Sequence, residues 1–161
     1  MKLATPMEFT AHNINDTDRI GAALAQNVPV GTTIALSGTL GAGKTRLVQA
    51  IAAACGINPQ DVVSPTFVLC QEYRGKRRLV HLDAYRIADD DEFLQLGVDE
   101  YFDSEAIVLI EWAERVADCL PRDYLVIEIE VTGDTKRTFR CRAQGSKLQS
   151  VITKLQETLG D

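Results

Sequence analysis

No stretch of this chain is apolar for long enough to cross a bilayer, and residues 1–15 lack the apolar run of a secretory signal. That pattern predicts a cytoplasmic protein with no membrane partner. Cysteine is sparse and carries no pairing pattern. Cys55, Cys70, Cys119 and Cys141 form no C-x-x-C, and neither His12 nor His81 stands at metal-ligand spacing to any of them. This argues against a disulfide scaffold and a zinc site, and the thiols read as small reduced core residues. Positive charge is short as well. With 17 basic against 23 acidic residues the net charge is −6. Avid unaided binding to DNA or RNA is therefore not expected, because that affinity rests on Lys and Arg at phosphates. There is no internal repeat, low-complexity tract or linker, so residues 1–161 read as one domain.

An apolar fraction of 45% and a charged fraction of 25% are those of a soluble globular chain, long enough to bury a core without staples. Within it, residues 38–45 read G-T-L-G-A-G-K-T, a complete match to the phosphate-loop pattern G-x-x-x-x-G-K-[ST]. Gly38, Gly41 and Gly43 permit backbone angles and close approach that a side chain would block. The amides of Leu40, Gly41, Ala42 and Gly43 can then converge on phosphate oxygens at the positive end of the following helix. Lys44 can reach the β- and γ-phosphates, and the Thr45 hydroxyl can ligate Mg²⁺. Context supports the motif. The apolar run Thr33, Ile34, Ala35 and Leu36 precedes the loop, and a helical pattern with Leu47, Val48, Ile51 and Ala52 on one face follows it. The residues predict a protein that binds a nucleoside triphosphate.

The remaining pattern gives a first helix over Asp16 to Asn27, capped by Asn15 or Asp16, with Ile20, Ala23 and Leu24 on its buried stripe. Gly56 ends the helix after the loop. Phe67 to Asp83 reads as a hairpin around Gly75 and Lys76, and Asp89 with Glu92 as a box opening a short helix. Ile107 to Ile110 is a continuous apolar run, expected as a buried strand. Leu125 to Val131 and Thr138 to Arg142 alternate, which suggests an antiparallel edge pair. A last helix, capped by Ser146, aligns Leu148, Val151, Ile152, Leu155 and Leu159. The fold class expected is a three-layer P-loop α/β domain with a mixed, mainly parallel central sheet.

A phosphate loop needs an acidic group for Mg²⁺ at the end of a neighbouring strand. Two candidates exist, Asp83 after Leu79 to Leu82 and Glu111 after Ile107 to Ile110. Either could instead begin a loop or cap a helix. Between loop and hairpin, Ser64-Pro65-Thr66-Phe67 presents Thr66 on a stiff segment. It suits a switch sensing the γ-phosphate, and equally a turn leading into a strand. No N-K-x-D occurs, so the guanine contact is missing and ATP is favoured. The only cluster comparable to a kinase lid is Arg74, Lys76, Arg77 and Arg78 at the hairpin turn, which reads better as a solvated turn or partner contact.

Taken in order, S-G-T-L-G-A-G-K-T with R-L-V, S-P-T-F, H-L-D-A-Y-R, L-G-V-D-E-Y-F and L-I-E-W-A-E resemble the bacterial TsaE (YjeE) family, from about Thr17 to Pro121. The resemblance implies an ATPase using ATP/ADP and Mg²⁺ that acts with two partner proteins, TsaB and TsaD. Together they install N6-threonylcarbamoyl on the adenosine next to the anticodon of tRNAs reading codons that start with A. tRNA would be met only through that assembly. The family's phosphate loop falls on Leu40 to Thr45, with Thr45 on magnesium, a Walker-B-like aspartate at Asp83, a magnesium-binding glutamate at Glu111 and the switch threonine at Thr66. Thr17 matches a position near the nucleotide base, and Trp112 one near the nucleotide. Arg46 departs from the threonine many relatives carry, at a position expected to face outward. The alternative function is a stand-alone small-molecule kinase. For the accessory ATPase, Ser64 to Phe67 and the basic turn at Arg74 to Arg78 are the expected docking surface beside the nucleotide.

Overall fold

In the computed structural model, residues 5–65 and 69–160 are described. They form one seven-stranded sheet in the order β1-β7-β6-β2-β5-β4-β3. The strands are β1 (Met7–Ala11), β2 (Thr33–Ser37), β3 (Cys70–Arg74), β4 (Arg78–Asp83), β5 (Ile107–Glu111), β6 (Tyr124–Val131) and β7 (Arg137–Gln144). β6, β2, β5 and β4 run parallel, β1 runs with them, and only β3 and β7 are reversed. The sheet is therefore mixed and mainly parallel, as the sequence leads one to expect.

Helices cover both faces. One carries α1 (Ile14–Asn27), α2 (Lys44–Ala54) and α5 (Gln149–Leu159) over Ile34, Leu36, Leu79, Ile107 and Leu109. The other carries α3 (Asp90–Leu94), α4 (Val98–Phe102) and a 3₁₀ segment at Ala113–Cys119 over Val80, Leu82, Val108 and Ile110. Side chains alternate between sheet faces with a period of two. So Leu79, His81 and Asp83 of β4, and Ile107, Leu109 and Glu111 of β5, share the face under α2. Cys55 and Cys141 are buried, and none of the cysteines is bridged.

Several local expectations are corrected. β1 was not anticipated, because MEFTA buries only Met7 and Ala11 and gives a weak pattern. It pairs with β7, so the β6–β7 pair is not at the sheet edge. α1 begins at Ile14, because the Asn13 side chain accepts the Asp16 amide and caps the first turn ahead of Asn15. α5 begins at Gln149 without a side-chain cap, so Ser146 does not cap it. Phe67 lies outside the described residues, and the hairpin begins at Cys70.

The basic turn also differs from expectation. The Arg77 guanidinium donates to the carbonyls of Ala25 (2.8 Å) and Val28 (2.7 Å), closing the carboxyl end of α1. The Lys76 amide donates to the Cys55 carbonyl at the end of α2, about 16 Å along that helix from the phosphate loop. The turn thus sits at the opposite edge of the sheet from the loop and is not a docking surface beside a nucleotide. Arg77→Ala should remove two charge-assisted bonds and destabilise the fold by about 2 kcal/mol. Thermal unfolding should fall by roughly 4–8 °C, with nucleotide affinity unchanged. An unaltered melting temperature would return Arg77 to the solvated surface.

Candidate functional site

The carboxyl ends of β2, β4 and β5 meet at one edge of the sheet, the edge where open α/β folds bind ligands. Residues 38–43 leave β2 there and deliver the chain into α2. Gly43 holds φ +113° as the N-cap, an angle few other residues adopt. Gly38, at φ +148°, leaves a hypothetical Cβ only 2.7 Å from the Ile129 carbonyl oxygen. α2 therefore starts with no side-chain cap and no acidic residue in its first turn. Its free amides and the positive end of its dipole are open to an anion.

Lys44 is only 5% exposed. Its ammonium donates to the carbonyls of Gly38 and Thr39 (3.1 Å to the latter) and lies 4.0 Å above the Trp112 ring. Burial holds its pKa below the ordinary amine value, against the opposing pull of Glu111, Glu114 and Asp83. Trp112 sits at φ +59°, a strained angle for a bulky residue, which places its ring against Tyr85 (centroids 4.9 Å apart) and under Lys44.

Both candidate carboxylates are buried and adjacent in register, Asp83 opposite Glu111. Their partners differ. Glu111 Oε2 accepts the Thr45 hydroxyl at 2.9 Å and lies 2.6 Å from His81 Nε2. Asp83 accepts the Ser64 hydroxyl at 3.0 Å and the Tyr85 amide at 2.8 Å. Glu111 is thus joined to the phosphate loop, and Asp83 to the base of the Ser64–Pro65 segment. Thr66 lies outside the described residues.

Two cavities flank the loop. One of about 380 Å³ is lined by Lys44, Thr45, Ser64, Asp83, Glu111 and Trp112, among others, with Leu40, 79% exposed, on its rim. The other, of about 630 Å³, lies between α1 and β7 against Gly41, Ala42 and Gly43, and includes Thr17, Arg46, Arg137 and Phe139. Thr17 is buried on α1 beside this second cavity. Arg46 keeps a third of its side chain exposed and pairs with the exposed Asp18 at 2.6 Å, an outward position as expected, although it also borders both cavities. Arg137 donates from Nε to the Ala42 carbonyl at 3.0 Å, holding the loop from β7.

The donor set suits Mg²⁺ arriving with a nucleotide. Thr45 and Glu111 offer hard oxygens at one locus, and magnesium characteristically takes one or two carboxylates plus phosphates and water. Among the described residues no group of three or more His, Cys, Asp or Glu could cage a metal by itself. Sequence reasoning missed His81, although H-x-D at a strand end places both side chains on one face.

Comparison with known proteins agrees with the fold. The family described as threonylcarbamoyl adenosine biosynthesis protein TsaE matches residues 11–139. The tRNA threonylcarbamoyladenosine biosynthesis protein TsaE of Bacillus subtilis (strain 168) is 36% identical over 150 residues, 92% of this chain and 93% of that protein. The Synechocystis protein of the same name is 45% identical over 115 residues, 68% of this chain and 72% of its own length. The crystal structure of Bacillus subtilis YdiB superposes with a TM-score of 0.81 at 29% identity and covers 98% of both chains.

Proposed function

The chain belongs to the TsaE family, and on that premise we propose that it is a Mg²⁺-dependent ATPase serving tRNA threonylcarbamoyladenosine formation. The observation that carries this reading is the hydrogen bond from Thr45 at the start of α2 to Glu111 at the end of β5. It couples a phosphate loop to a buried carboxylate, as nucleotide hydrolysis requires.

In this reading the cavity beside Thr17 and Phe139 takes the base and ribose, and the amides of Leu40 to Gly43 take the phosphates, that of Ala42 leaving the Thr39 carbonyl it bonds at 3.0 Å. Lys44 leaves its own loop carbonyls to contact the β- and γ-phosphates. Thr45 and Glu111 hold the metal, which when bound neutralises charge on the β- and γ-phosphate oxygens. Asp83 keeps Ser64 in place and orients the attacking water together with Thr66.

TsaB and TsaD are the proposed partners, in the cytoplasm, with tRNA reached only through them. A net charge of −6 supports indirect contact with tRNA. The exposed Leu40, Val63 and Tyr85 near the phosphate cavity favour docking across that mouth. The chain alone should hydrolyse ATP slowly and turn over at least ~10-fold faster with the TsaB–TsaD pair. Partner affinity should be higher with an ATP analogue than without nucleotide, since a ligand shifts an equilibrium only by binding its states unequally. Turnover indifferent to the pair, with phosphate passed to a small acceptor, would instead identify a stand-alone kinase.

A further inference from the structure

We propose that His81 is a positioning residue that fixes the Glu111 carboxylate on Thr45, an inference that rests on the nucleotide and metal reading above. His81 is 0% exposed and occupies the middle of β4, two residues before Asp83 and on the same face. A leucine would fill that place without burying polar atoms. The imidazole instead sets Nε2 2.6 Å from Glu111 Oε2 and leaves Nδ1 buried with no hydrogen-bond partner among the described residues. Burying an unpartnered ring nitrogen is unfavourable, so the ring's contribution lies at Nε2. The contact also specifies where a proton must sit. Nε2–H donates to the acceptor-only Glu111 carboxylate, whereas a proton on Nδ1 alone would set two lone pairs against each other at 2.6 Å.

Two donors thus converge on one oxygen, Thr45 at 2.9 Å and His81 at 2.6 Å. They fix the rotation of a carboxylate that also feels the Lys44 ammonium. Without His81, Glu111 is free to swing onto Lys44 and engage both groups away from the metal and the phosphates. Outer partners of this kind commonly tune metal affinity 10- to 100-fold.

The test is the gain in affinity for a fluorescent mant-ADP on adding Mg²⁺, compared with the affinity in EDTA. Wild type should show a gain. His81→Leu should lose at least ~10-fold of it while keeping the EDTA affinity. His81→Gln, whose amide nitrogen can reach Glu111, should retain most of it. A full gain in His81→Leu, or an equal loss in His81→Gln, overturns the proposal. Absence of a gain in wild type defeats the underlying metal reading instead. Nitrogen-15 spectra of the wild-type imidazole judge His81 without any variant. A protonated Nε2 supports the assignment, and a proton on Nδ1 alone overturns it.

Discussion

Lys44→Ala is expected to lower ATP affinity by ~100-fold or more while the fold survives. The phosphate cradle contains no other ammonium among its described lining residues, and loss of charge-assisted contacts worth about 2.7 kcal/mol corresponds to that factor. The protein should tolerate the change because Lys44 is bonded to Gly38 and Thr39 carbonyls that line open cavities, where water can replace it. Alanine is also favourable at a helix start where burial already disfavours the ammonium. Binding of a labelled ATP analogue, at matched circular dichroism, measures the effect. Undiminished affinity would remove residues 38–45 from the phosphate site.

That loop was legible in the sequence because its chemistry is local. Backbone amides, three glycines, a lysine and a threonine act within eight consecutive residues, and the flanking strand and helix announce themselves by apolar periodicity. Asp83 and Glu111 were legible for a related reason, since each directly follows a continuous buried run. Their different partners were not, because each carboxylate meets its hydroxyl across the sheet, Ser64 for one and Thr45 for the other. His81 met the same limit, because its partner lies 30 residues away on a parallel strand. Arg77 looked like one of several cations on a turn until the end of α1 appeared beneath it. Short β1 escaped because two buried residues in five carry little pattern. Contacts between distant segments, rather than the elements themselves, were what the sequence concealed.

The second large effect concerns those carboxylates. Glu111→Gln should reduce ATP turnover by ~10²–10³-fold, the range seen when a preorganised charge-stabilising group is removed. ADP affinity in EDTA should change little, since in the proposed site the phosphates are held by loop amides and Lys44. The amide keeps the size of the carboxylate, so the core under α2 remains filled. What it loses is the anionic oxygen on which Thr45 and His81 converge. Asp83→Asn should also lower turnover, by a different route. Asp83 is bonded to Ser64 and Tyr85, whereas Thr45 is bonded to Glu111, so the gain in nucleotide affinity from Mg²⁺ should survive in this variant and fail in Glu111→Gln. Its loss should instead loosen the Ser64 tie and disturb the orientation of the water. Turnover at saturating ATP, with ADP binding titrated with and without Mg²⁺, separates the two roles. Wild-type turnover in Asp83→Asn would reduce that residue to a structural tie for Ser64 and Tyr85. Wild-type turnover in Glu111→Gln would remove the carboxylate from the hydrolytic site altogether.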